Sequence, residues 1–313
     1  MPGALKLVGR RVVMALVLLQ GAATVRPSSL AMAASDGCGD GAAKPAQQAT
    51  LKPASATSPN IPFSDYDPQA ERVLLDLANQ SRAQAGAPAL TLDAGLCQAA
   101  RAHAEAMFAA RQLSHQLDGE PSLPQRLGSA TPITLDQEGE NVALDFDAAD
   151  GHKNLMLSPP HRANLLNPAY NVAGLGVVRS GDRLYIVQDF GHALPNYSPA
   201  EVKDKIAATV MQARHQANQP ALARRDFLSK DLPAPDAAAC SMAHTDQLGT
   251  SPIHQLAQRY TVLTYNSLHP ETLPASAAAM LASHNLRSFS IGACYGRTDA
   301  YPTGVYWVVL SLD

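Results

Sequence analysis

Two runs decide how this chain folds: Glu138-Gly-Glu-Asn-Val-Ala143 and Leu155-Met-Leu-Ser-Pro-Pro-His-Arg-Ala-Asn-Leu-Leu166. The first holds Glu140 in what reads as a glycine-flanked turn. The second breaks at Ser158-Pro-Pro and resumes at His161. His115, in Leu113-Ser-His115, belongs with them. Two imidazoles and a carboxylate can ligate zinc and leave a position open. They can equally form a hydrogen-bonded network without metal. The spacings are too long to choose between the two. The chain has no His-Glu-x-x-His helix, no nucleophile elbow and no phosphate-cradling loop.

Upstream, Asp67-Pro68 opens a helix whose Val73, Leu74, Leu77 and Ala78 recur at helical spacing, with Gly86 and Pro88 ending it. A second, Ala-rich helix runs from Ala94 to about Arg111. His103 on it reads as structural or exposed, because no partner spacing supports a ligand role. A short helical turn is expected at Leu123 to Leu127, and a helix from Asp145 to Leu157. Glu138 reads as an exposed loop charge, and Arg162 and Asn164 as residues that fix a local turn. Val172–Val178 and Arg183–Phe190 read as two strands joined at Ser180-Gly-Asp182. Helices followed by a hairpin argue for an α+β fold with an antiparallel sheet.

The N-terminus reads as an export signal over residues 1–34. Lys6, Arg10 and Arg11 precede an apolar run, Val12 to Leu19, and Ala31-Met-Ala33 is a cleavage site. The run is too short to span a membrane comfortably. Residues 35–64, poor in large apolar side chains, read as a disordered linker. Domains are expected over 65–195 and 196–313. The mature protein is expected outside the cytoplasm, extracellular or periplasmic, with no transmembrane segment. A net charge of −3 with scattered basic residues gives no reason to expect a nucleic-acid partner. The four cysteines of an exported chain permit disulfides in three connectivities. Cys240–Cys294 is the preferred pair. Cys38 lies in the tail, and a buried free thiol competes for Cys97.

The chain then repeats itself. Arg82, Gly-Ala-Pro-Ala-Leu90 and a helix with Cys97 are echoed by Arg214, Asn-Gln-Pro-Ala-Leu222 and a segment with Cys240. Ala173-Gly-Leu-Gly-Val-Val178 is echoed by Phe289-Ser-Ile-Gly-Ala-Cys294. The C-terminal part therefore reads as a shortened, diverged copy. Trp307, in an apolar strand, reads as core.

Taken in order, these pieces resemble the CAP superfamily: cysteine-rich secretory proteins, antigen 5 and pathogenesis-related proteins, in its bacterial extracellular SCP-like branch. The resemblance covers residues from about 70 to 192. It is carried by Asn79-x-x-Arg82, His103-Ala-Glu-Ala-Met107, Leu113-Ser-His115, Gly139-Glu-Asn-Val-Ala143, Ser158-Pro-Pro-His161, Gly174-Leu-Gly-Val177 and Tyr185-Ile-Val-Gln-Asp-Phe-Gly191. It implies a three-layer α-β-α sandwich around an antiparallel sheet. It also implies a cleft of two histidines and two glutamates that binds a divalent metal in some members. The cleft residues map to His115, Glu140 and His161. The second glutamate normally closes a Trp-x-x-Glu segment. Here Leu155 stands at the tryptophan position and Ser158 at the glutamate position. In the second copy the region from Leu263 to Leu268 has no Gly-Glu-Asn, and His284 is the counterpart offered for His161. That copy is expected to keep the fold and lose the cleft.

Two functions follow from the resemblance. The favoured one is a secreted binding or interaction module for a lipid- or sterol-like small ligand, a protein, or a cell-envelope component. The alternative is a divalent-metal hydrolase, a peptidase, in which zinc held by His115 and His161 activates water with Glu140 as ligand or general base. No catalytic residue is assigned beyond that.

Overall fold

The computed structural model describes Val12–Met14, Cys38 and residues 65–313. The export-signal and linker readings otherwise lie outside the described residues. Val12–Met14 is a short strand, β1. The chain divides into two compact units between Leu194 and Pro195.

The first unit opens with β2 (Asp65–Tyr66) and α1 (Pro68–Ala85). The Asp67 carboxylate accepts from Ala70 N at 2.9 Å and caps α1, and Gly86 closes it at φ 74°. After β3 (Thr91–Leu92), Asp93 caps α2 (Ala94–Ala110) by accepting from Leu96 N. Next come α3 (Leu123–Ala130), β4 (Leu135–Asp145), α4 (Ala148–Leu157) and α5 (Pro159–Leu166). The unit ends with β5 (Val172–Ser180) and β6 (Arg183–Ala193).

Three expectations change here. Gly139-Glu-Asn is not a turn: it lies within β4, paired antiparallel to β6 with Glu140 opposite Asp189. Glycine is required at 139 for packing, since a Cβ there would meet the Tyr170 hydroxyl at 2.4 Å. Glu138 is accordingly a half-buried strand residue rather than a loop charge. Asp145 ends β4 and does not start the helix, which begins after the Asp147 cap.

The sheet order is β2-β5-β6-β4, antiparallel throughout, with β3 added parallel beside β5. Strand alternation sends Leu175, Val177, Leu184 and Ile186 towards α1 and α4. It sends Val142, Val178, Tyr185 and Val187 towards α2. The result is the expected α-β-α sandwich. Gly174 and Gly176 let α2 lie directly on β5: a Cβ at either would fall within 2.2 Å of the backbone carbon of Leu96 or Ala100.

The second unit contains α6 (Pro199–Gln216), β7 (Ala223–Arg224), α7 (Pro235–Thr245), α8 (Ser251–Ala257), β8 (Thr261–Ser267), α9 (Ala275–Leu281), β9 (Ser288–Gly296) and β10 (Val305–Leu312). Its sheet order, β7-β9-β10-β8 with β1 beyond β8, follows the plan of the first. Thr91 pairs with Val172 in parallel, and Ala223 pairs with Ser288 in parallel. Gly292 lies against the Pro235 backbone of α7 as Gly176 lies against α2.

The firmest parallel is a buried arginine. Arg82 is fully buried and donates to four carbonyls: Pro88 (2.7 Å), Leu165 (2.8 Å), Asn167 (2.9 Å) and Tyr170 (2.8 Å). Arg214, 1% exposed, donates to Pro220 (3.0 Å), Leu281 (2.6 Å) and Ser283 (2.6 Å). These contacts equate Leu281 with Leu165. The position four residues before it, equivalent to His161, is then Ala277, which is buried. His284 is therefore not the counterpart of His161. The second copy has no imidazole at that point.

Cys240–Cys294 is bonded as expected. Cys97 is not a free thiol: it is bonded to Cys38, and Arg101 Nη2 donates to the Cys38 carbonyl at 3.2 Å. Trp307 is core, 1% exposed. Among the described residues no helix is long and apolar enough to cross a membrane.

Candidate functional site

The site is built where α2, α3 and α5 approach β4. Glu140 points from β4 towards α2 and is buried. His115, in the loop between α2 and α3 and with its side chain 58% exposed, donates from Nδ1 to Glu140 Oε1 at 2.8 Å. Since the carboxylate only accepts, this bond fixes the Nδ1–H tautomer and leaves Nε2 as the free face of the ring. Arg126, on α3 and buried, donates from Nη2 to Glu140 Oε2, and from Nη1 to the His115 carbonyl at 3.2 Å. Both oxygens of Glu140 are thus occupied.

His103 is the residue most underrated by sequence. It is fully buried, with Nδ1 2.7 Å from Glu120 Oε1 and Nε2 2.9 Å from the Ser114 carbonyl. Glu120 in turn lies 3.3 Å from Arg126. The result is one chain of charge, His103–Glu120–Arg126–Glu140–His115.

His161 lies across from His115, with ring centroids 6.4 Å apart. Burial, and then the neighbouring His115, lower its pKa. The helix that carries it is tied to the sheet from the opposite face. Asn141 Nδ2 donates to the His161 carbonyl at 3.1 Å, and Asn164 Nδ2 donates to the Glu140 carbonyl and to Asn141 Oδ1. Asn164 therefore ties α5 to β4, a long-range tether rather than the local turn expected of it. Ser158 sits at the junction of α4 and α5, and its hydroxyl has no hydrogen-bond partner among the described residues. Leu157 beside it is 70% exposed, and Leu113, two residues before His115, is 48% exposed.

Residues 75–190 match the family model for the cysteine-rich secretory protein family, CAP. The first unit is a CAP domain. The chain is 31% identical over 153 residues to uncharacterized protein YkwD of Bacillus subtilis strain 168; the match takes in 44% of this chain and 59% of that protein. Similar solved structures include an extracellular protein containing a SCP domain from Bacillus anthracis. It is 26% identical with TM-score 0.36, over 40% of either chain. Another is a cysteine-rich secretory protein from Staphylococcus aureus, 21% identical with TM-score 0.33, over 40% of this chain and 38% of that one.

The donor set of this CAP domain does not fit a divalent cation. Glu140 already neutralises the Arg126 guanidinium, and that guanidinium would repel a dication bound at the same carboxylate. Ser158 supplies no charge where a second carboxylate would complete the set. Among the described residues no group of three or more His, Cys, Asp or Glu side chains is placed to hold a metal ion.

Beneath the network lies Asp189 on β6, fully buried, with neither carboxylate oxygen hydrogen-bonded. Burial, and then the Glu140 carboxylate, push its pKa well above the usual 3.8. Asp189 therefore holds a proton in the folded CAP domain that it loses in the unfolded chain. An acid raised in this way makes stability fall as pH rises from the unfolded pKa towards the folded one. Asp189→Asn mimics the protonated form and should remove that fall. In urea titrations from pH 4 to pH 8, the variant's stability relative to the parent is expected to rise with pH. A constant difference across that range would refute a protonated Asp189.

Proposed function

We propose that the CAP domain is a secreted binding module, extracellular or periplasmic, and that it performs no chemistry in the cleft formed by His115, Glu140, His161 and Ser158. The observation that carries this reading is the double engagement of Glu140 by His115 and Arg126. A carboxylate held on both oxygens, one of them by a buried guanidinium, would have to give up part of that ion pair or hold a dication beside a cation in order to ligate zinc. Nor do the described residues of the domain offer a serine hydrolase arrangement. Its one notable Ser–His contact, Ser81 Oγ to His152 Nε2 at 2.9 Å, lies between α1 and α4. His152 there is 7% exposed, and its Nδ1 has no partner to orient it.

The ligand we assign to the cleft is small and apolar, of the lipid or sterol type, or a cell-envelope component presenting such a group. Exposed Leu113 and Leu157 support this, as large apolar side chains beside His115 and Ser158. The two disulfides fit an oxidising location. The second unit, with Ala277 in place of the cleft histidine, acts as a retained, cleft-free copy.

The test pairs two assays on the full chain. Binding of a fluorescent fatty acid or sterol should be saturable, unchanged by chelator and weakened by Leu157→Asp. A peptide-cleavage screen should give the same background for the parent and His161→Ala. Chelator-sensitive cleavage that His161→Ala abolishes would establish the hydrolase instead.

A further inference from the structure

The second unit holds a cavity beside the loop that follows β7. Ten residues, Arg225 to Ala234, separate β7 from α7, where the CAP domain has one, Asp93, between β3 and α2. This inserted loop, the start of β9 and the residue after β10 together line an open cavity of about 390 Å³. That size falls in the range of small-molecule sites, about 300–1,000 Å³.

Three cations line it: Arg225, Lys230 and Arg287. Arg225 is held by its backbone, its N–H donating to the Phe289 carbonyl at 2.9 Å. Its guanidinium, and the Lys230 ammonium, have no hydrogen-bond or ion-pair partner among the described residues. Arg287 spends Nη1 on the carbonyls of His284 (3.1 Å) and Leu286 (3.3 Å), and its backbone N–H donates to Asp313 O at 2.6 Å; its guanidinium makes no ion pair among the described residues. Asp313 is the single acidic residue in the lining; Asp226 and Asp231 lie in the loop but do not line the cavity. Phe227 forms part of the wall and is 46% exposed.

The comparison between copies sharpens this. By the strand pairings that equate Thr91 with Ala223 and Val172 with Ser288, Arg225 stands where the CAP domain has Asp93, and Arg287 where it has Asn171. In the CAP domain both of those side chains serve the fold. Asp93 caps α2, and Asn171 bonds both backbone groups of Ala193. The second copy has replaced two satisfied fold-supporting groups with cations that repel each other. It has added a third cation and an exposed aromatic ring on an inserted loop. Convergent unpaired cations destabilise a fold unless an anion completes them.

We propose that this cavity binds an organic phosphate monoester carrying an apolar substituent. Arg225, Lys230 and Arg287 outnumber the acidic groups that Asp313 brings to the lining, and a net positive wall suits the anionic charge of a monoester at neutral pH. Arginine forks suit phosphate oxygens. The substituent packs on Phe227. The site belongs to the second unit, and its success or failure leaves the reading of the CAP cleft untouched.

Phenyl phosphate titrated calorimetrically into the full chain at low salt tests the proposal. Binding of one equivalent is expected, weakened at least tenfold by Arg225→Ala combined with Arg287→Ala, and unchanged by His161→Ala in the CAP cleft. Phe227→Ala should weaken phenyl phosphate but leave inorganic phosphate unaffected. All three substituted side chains are exposed, and thermal melts check that the variants remain folded. Co-sedimentation with vesicles containing phosphatidic acid, but not with pure phosphatidylcholine, would identify the source as a membrane lipid. Phenyl phosphate binding without vesicle binding would identify it as a free organic phosphate. No binding by the parent, or equal binding by the double variant, would overturn the proposal.

Discussion

Arg82→Met is expected to be among the most destabilising single substitutions in the CAP domain. The guanidinium is fully buried and supplies the donors for the carbonyls of Pro88, Leu165, Asn167 and Tyr170. Methionine fills much of the volume and donates nothing. Each buried acceptor left without a donor costs about 1–3 kcal/mol. Relief of the charge's own burial offsets part of this, so we expect a loss of about 4 kcal/mol in urea unfolding followed by circular dichroism. The effect should also reach the cleft. Leu165 and Asn167 lie at the C-terminal end of α5, and His161 lies near its start. Arg214→Met should cost less, because Arg214 serves three carbonyls and its Nη2 already has no partner. Trp307, the single tryptophan, reports on that unit by fluorescence. An equal or larger loss for Arg214→Met would contradict the assignment of these arginines as graded versions of one device.

Arg126→Met should be nearly as severe for a different reason. It removes the cation from a carboxylate whose side chain is only 3% exposed, leaving His115 at 2.8 Å and His103 at 3.7 Å as partners of Glu140. Breaking a buried ion pair by deleting one member costs about 3–5 kcal/mol, because the survivor is left charged and desolvated. Adding Glu140→Gln to Arg126→Met should recover a substantial part of the loss, since the amide carries no charge to strand. Such recovery is coupling, and a double-mutant cycle measures it. Additive losses would show that Arg126 and Glu140 act independently.

The sequence made the outer frame readable because the signals there are local. Asp67-Pro68, Gly86 and Asp93 are caps, and they cap what their positions suggest. The hairpin at Ser180-Gly-Asp182 joins β5 to β6. The duplicated order of Arg, Pro-Ala-Leu and Cys became two buried arginines and two bonded helices. Readings failed where tertiary contact overrides local preference. Gly139 looks like turn chemistry, yet the Tyr170 hydroxyl occupies the space a side chain would need, and the segment runs on as strand.

The charge network was only partly legible. His115, Glu140 and His161 came from the family pattern, and the structure places His115 on Glu140 and His161 opposite it. His103, Glu120 and Arg126 were missed as partners, because no spacing rule joins a helix residue to a loop acid 17 positions later and a second helix beyond it. Two weak signals were available. Arg126 interrupts the apolar side of a short helix, and Gln188-Asp189 interrupts an otherwise apolar strand. Polar groups at such core positions need partners, and those of this domain lie around the cleft.

Glu140 is held within an ion-pair network and is not reserved for a metal. Zinc titrated calorimetrically into chelator-treated full chain tests it most directly. We expect any binding to be the same in the parent, in Glu140→Gln and in His161→Ala. Binding of one equivalent to the parent that both substitutions abolish would contradict it.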